Sequence, residues 1–191
     1  MLTRPDINLL AIVIGLAART ATAGFVEFED ADAWFTAAGP TTTIDFVLDA
    51  PQILSTQYAT LGALFPDGND VAHTAATFSF DGWGATGAPT GGGPIIVEFL
   101  DAHQAFAAYY FSSVTFSLYF DDSLIYTSTL FSSPIGGAFG GVISTAAFNR
   151  VVIFAPLGPT TVDNLYFNTV PSPTATIALT GMLLGGRRRR S

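Results

Sequence analysis

The chain has 191 residues, 49% apolar and only 12% charged, with 17 phenylalanines, 19 glycines and 11 prolines; this suits one domain with a sizeable core and many turns. It has no cysteine, which excludes disulfides, thiolate metal sites and a cysteine nucleophile. It has no lysine either, and residues 24–169 hold Arg150 alone against 14 acids, a formal charge of −13; such a surface repels nucleic acid, since phosphate binding needs Lys and Arg.

The first segment, "MLTRPDINLLAIVIGLAARTATAGF", places Arg4 ahead of an apolar run from Leu9 to Ala18. Ala21 and Ala23 then give the small-x-small pattern, with cleavage expected before Gly24. Residues 1–23 therefore read as a secretory signal peptide with a helical apolar core.

Period-2 alternation dominates from Gly24 onwards. "GFVEFED" predicts the first strand, and "EDADAWFTAAG" predicts one short helix, with Asp30 or Asp32 as N-cap and Gly39 at its end. "TTTIDFVLD", "AATFSFDGW", "PIIVEFL" and "AAYYFSSVTFSLYF" follow as strands rich in β-branched and aromatic residues. "SLIYTSTLF", "GGVIS", "RVVIFAP" and "TVDNLYFNT" complete nine or ten strands. "LYFDDSLIY" predicts a hairpin turning at Asp121-Asp122-Ser123. Short strands separated by Gly, Pro, Asp and Ser clusters argue for an all-β, antiparallel two-sheet sandwich over residues 24–169.

No catalytic residues emerge from this body. Neither "DVAHTAA" nor "LDAHQAF" carries a nucleophile elbow or a metal-ligand spacing, so His73 and His103 read as loop or surface residues. The glycine-rich loop Gly82 to Pro94 lacks a lysine and a following helix, so it is no phosphate cradle. Trp83 within it has two readings: a ring that stacks on a sugar face, or a ring folded over the core edge. The 14 acids also allow a carboxylate pair for glycoside cleavage, but periodicity selects no pair.

The tail runs from Val170 through Pro171, Ser172 and Pro173 into an apolar stretch, then Arg187, Arg188, Arg189 and Arg190. Val170 to Gly186 spans roughly 25 Å as a helix, short of the roughly 30 Å hydrocarbon core. Four guanidinium groups resist crossing a bilayer, so this short apolar helix would engage the membrane transiently and hold Val-Pro-Ser-Pro, extended, just outside it.

Pro-x-Pro, a weak apolar helix and a terminal arginine cluster together resemble the PEP-CTERM sorting signal of exported proteins in Gram-negative bacteria, many of them makers of extracellular polysaccharide. The resemblance implies cleavage of residues 170–191 by an exosortase, with Ser172 standing where Glu is usual. The body resembles the secreted jelly-roll domains that often precede such tails. Tyr58, Gly62, Ala63 and Phe65 carry that family's Tyr-x-x-x-Gly-Val-x-Phe pattern, with Ala for Val; Val162, Asp163, Asn164, Leu165 and Phe167 carry its closing strand. The resemblance implies Sec export to the outer surface or the medium. It implies a non-enzymatic matrix role with exopolysaccharide as partner; the alternative is a carbohydrate-active hydrolase using two carboxylates. No cofactor is certain. Calcium is the metal that oxygen donors suit, and in jelly-roll carbohydrate-binding modules it sits where the first and last strands meet, which here would join Glu27, Glu29 or Asp30 with Asp163. The plain reading of those acids is a solvated strand edge, or for Asp163 a turn.

Overall fold

The computed structural model describes residues 24–66, 71–74, 84–87, 92–133 and 136–168. The signal segment, Trp83 and the sorting tail, Val170 to Pro173 and Arg187 to Arg190, lie outside the described residues. In chain order the elements are β1 (Phe25–Phe28), α1 (Ala31–Ala38), β2 (Thr42–Ile44), β3 (Gln52–Ile53), a 3-10 turn (Ala59–Leu61), β4 (Ala63–Leu64) and β5 (Ala72–Thr74). Then come β6 (Gly84–Thr86), β7 (Ile95–Tyr110), β8 (Thr115–Phe120), β9 (Ser123–Thr127), β10 (Ala138–Phe154) and β11 (Thr161–Asn168).

Among the described residues these eleven strands form one connected antiparallel sheet. Its spine is the pair β7–β10, which meets in two ladders: Ala105–Tyr110 against Ala138–Ile143, and Ile95–Glu98 against Arg150–Ile153. Between them the register shifts on either side of the pair His103–Phe148. Each ladder has its own neighbours. Around the first stand β1 on β10 and β11 on β7, with β2 and β6 on β11. Around the second stand β4 on β7 and β8 on β10, with β9 beyond β8.

The sequence expectation of separate strands for "PIIVEFL" and "AAYY", and again for "GGVIS" and "RVVIF", differs from this arrangement. The reason lies in the intervening residues. Asp101 to Gln104 and Thr145 to Ala147 are exposed or half-buried where the register shifts, so alternation lapses while the backbone stays extended.

Both ladders turn one face into the same core. Phe99 stands 6.3 Å from Phe106 and 4.8 Å from Phe167, and Phe106 stands 5.3 Å from Phe116, so rings from the two ladders meet directly. Edge-to-face ring pairs of this kind add about 0.5–1.5 kcal/mol each beyond the area they bury.

The first ladder is buried on its other face too, by α1. Asp30 Oδ1 accepts from the Ala33 N–H at 2.7 Å and starts the helix; Gly39, at φ 72°, ends it by donating to the Phe35 carbonyl. Trp34 is fully buried against Ala105, Ala107 and Phe139. A strand covered on both faces needs small residues where a large ring lies. A Cβ on Gly141 would stand 2.5 Å from Trp34 Cδ1, and one on Gly140 would stand 2.9 Å from Phe131 Cγ on the core side.

β2 is shorter than "TTTIDFVLD" suggests. After Ile44, Asp45 Oδ1 accepts from Val47 N–H at 3.3 Å, and the buried Phe46 turns to φ 54°, a conformation no strand accommodates. Phe46 then packs edge-on against Tyr58 and Phe65, with Gly62 at φ 87° reversing the chain between the last two.

Candidate functional site

The outward face of the second ladder is where polar and aromatic side chains converge. Arg150 on β10 is in register with Glu98 on β7 and Tyr119 on β8. All three point away from the core, because the alternating neighbours Val97, Phe99, Val151 and Leu118 are buried. The Arg150 guanidinium lies 4.5 Å from the Tyr119 ring centre, a cation–π contact that holds the fork in one orientation.

The hairpin β8–β9 closes one side of this row. Phe120 pairs with Ser123, leaving a two-residue turn of Asp121 and Asp122 rather than the three-residue turn read from the sequence. Asp121 is left-handed at φ 51°, a conformation Asp tolerates better than most residues. Asn149 fixes it from both sides: its Oδ1 accepts from the Asp121 N–H at 2.8 Å, and its Nδ2 donates to Asp121 Oδ1 at 3.0 Å. Arg150 Nη1 donates to Asp122 Oδ1 at 3.1 Å.

Glu98, Phe99, Asp121, Asp122, Asn149 and Arg150 together line an open cleft of about 290 Å³. The Asp122 side chain is 97% exposed and that of Arg150 24%, so their ion pair adds only about 0–1 kcal/mol to stability. Its value is positional. Carboxylate acceptors stand beside amide and guanidinium donors, with Phe99 at the cleft's inner edge and its ring packed into the core; that is the chemistry that recognises hydroxyl-rich ligands.

The acids named from the sequence are placed differently. Glu27 on β1 accepts from the Tyr126 hydroxyl at 2.5 Å, from the Thr129 N–H at 2.7 Å and from the Thr129 hydroxyl. Burial pushes its pKa up, but these three donors outweigh burial and hold the carboxyl below its ordinary value. The same contact, after burial, lifts Tyr126 to about 12. Asp30 caps α1, and Glu29 is exposed beside it. Asp163 is fully buried on β11, where the pairing with β7 slips between Val162 and Leu165. The last strand does not meet the first: β7 and β10 lie between β11 and β1, three inter-strand spacings or on the order of 14 Å. Glu27, Glu29 and Asp30 are thus near one another in sequence but not gathered with Asp163, and among the described residues no group of three or more His, Asp or Glu is arranged to hold a metal ion.

Of the signal-cleavage residues, Ala21 and Ala23 lie outside the described region, while exposed Gly24 exchanges hydrogen bonds with Thr145. His103 corrects its reading as a loop or surface residue. It sits within β7 with its ring against Phe99 and Phe167 at 4.8 and 4.9 Å, and its Nδ1 is buried. His73 likewise falls on a strand, β5.

Glu98, Tyr119, Asn149 and Arg150 escaped the sequence reading as a group. The available signal was Arg150 itself, the one Lys or Arg of residues 24–169, three places after the polar stretch Thr145–Ala147 where the register shifts. Comparison with protein families, with curated proteins and with solved structures finds no match. Among the described residues no helix is long and apolar enough to cross a membrane.

Proposed function

We propose that this chain is an exported, non-enzymatic cell-surface or matrix protein that binds extracellular polysaccharide through the Arg150 cleft. In this reading the two ladders of the β7–β10 spine are the two sheets of a jelly-roll-like sandwich. Residues 1–23 direct Sec export, and residues 170–191 are a PEP-CTERM-like tail removed by an exosortase, bringing the mature protein to the outer surface or the medium.

The observation that carries the reading is the row Glu98–Arg150–Tyr119 beside the Asp121-Asp122 turn, a set of donors and acceptors held rigid on three strands. Sugar hydroxyls both donate and accept, so a ring of mixed partners suits them better than a single charge does. Sites built on strands also hold their geometry better than sites on loops.

Three carboxylates around one cleft give the hydrolase alternative its one specific support. It is the weaker reading, because Asp122 is paired with Arg150 and open to solvent, and Asp121 is bound to Asn149. One experiment separates the two: the purified protein is sedimented with the host's polysaccharide while reducing ends are counted. Retention without release of reducing ends supports binding. Release that stops in Asp121→Asn establishes the hydrolase, and neither retention nor release removes both.

A further inference from the structure

The backbones of β7 and β10 keep pairing between the two ladders at one place. Between them, β7 and β10 keep the single register pair His103–Phe148. The His103 ring stands edge-on to Phe99 at 4.8 Å and 76°, and to Phe167 at 4.9 Å and 67°. Its Nδ1 is buried and has no hydrogen-bond partner.

Both strand neighbours of this ring lead into the cleft. Phe99 is itself part of the cleft wall, and Phe148 is followed directly by Asn149 and Arg150, which hold the Asp121-Asp122 turn. Phe99 also touches Phe148, at 6.2 Å. A change at His103 therefore reaches the cleft from two sides.

A neutral imidazole suits this setting. Protonation puts a donor N–H on both ring nitrogens, one of them in a place without an acceptor, and puts a charge among aromatic rings. Charged groups do little to help. Phe99 on β7, Phe148 on β10 and Phe167 on β11 carry none; among the described residues Asp101, on the same strand, is the charge acting on the ring. Burial outweighs Asp101 and holds the imidazole below its ordinary value of 6.5.

We propose that His103 is a proton-sensitive joint, whose protonation in mildly acidic surroundings displaces Phe99 and Phe148 and so reshapes the cleft at Asp121, Asn149 and Arg150. As control over ligand binding it rests on the function proposed above; as a coupling within the fold it is read without any ligand.

The test is a pH titration of the isotopically labelled full chain from pH 8 to 5 by NMR. The ring protons of His103 are expected to titrate with a midpoint below 6.5, and the amides of Asp121, Asp122, Asn149 and Arg150 to move with the same midpoint. His103→Phe and His103→Gln should abolish those amide movements, whereas His73→Gln should keep them. A His103 midpoint at or above 6.5 overturns the proposal, as do cleft amides that stay still in the wild type or move alike in the variants. Should either variant fail to fold, the other decides; should both fail, co-titration of ring and cleft in the wild type does. A protein that binds no polysaccharide leaves this outcome readable, so the two proposals fail separately.

Discussion

At the scale of single residues, Glu27 illustrates how a candidate ligand turns out to be a tie. Its carboxylate accepts from Tyr126 and twice from Thr129, fastening β1, which among the described residues pairs with β10 alone, to β9 and the segment after it. Removing an acceptor from three donors strands them. Glu27→Ala is expected to cost about 2 kcal/mol, measured by urea denaturation at pH 7. The sign of the pH dependence follows from the direction of the shift. The folded-state value lies below the ordinary 4.5, so this contribution is present above pH 4.5 and lost as pH falls through the folded value. The gap between wild type and Glu27→Ala should therefore narrow at pH 3; a gap unchanged between pH 7 and pH 3 would show that the carboxylate is not the tie. Residue-level features with local causes were legible in the sequence, as the caps Asp30 and Gly39 demonstrate. The roles of Glu27 and Asp163 were not, because both depend on which strands become neighbours, and strand order is a long-range property that alternation does not encode.

At the scale of elements, α1 and the first ladder explain each other's composition. Trp34 can pack closely on the sheet because Ala105, Ala107 and Gly141 leave room for it. "AFAAYY" and "AFGGVI" are consequently poor in large residues on one side, a pattern that reads as a weak strand when no helix is yet in view. Gly141→Ala forces a contact of 2.5 Å with Trp34 Cδ1, and overpacking of this kind costs about 1–3 kcal/mol. Gly92→Ala, where nothing stands within 4 Å of the new Cβ, should be nearly neutral by comparison. Thermal melts of the two variants check the pair; equal melting temperatures would mean that α1 does not pack on this face. The long strands were the other element-level surprise. Both β7 and β10 contain a polar interlude where their register shifts, and the sequence shows that interlude as a gap between strands, although the chain never leaves the sheet.

At the scale of the whole molecule, α1 covers the outer face of the first ladder, while the outer face of the second ladder is left open and carries the cleft. The arginines are divided along the chain: the single arginine of residues 24–169 stands at the cleft, and four more lie at positions 187–190. If the C-terminal tail is an address removed after export, intact mass of protein recovered from the medium should lack residues beyond about Pro173, and the signal segment before Gly24 should be gone as well. A recovered chain that ends at Ser191 would contradict the sorting reading while leaving the cleft untouched.

The cleft itself is tested most directly by mapping where ligand lands. Fragments of the host's extracellular polysaccharide are titrated into the labelled protein, and backbone amide shifts are followed at pH 7. The account predicts that Glu98, Asp121, Asp122, Asn149 and Arg150 respond first, and that Arg150→Ala weakens the apparent affinity at least about tenfold, the equivalent of about 1.4 kcal/mol, without lowering the melting temperature. Shifts centred on α1 or on the β3–β5 edge, or no shifts at all, would contradict it.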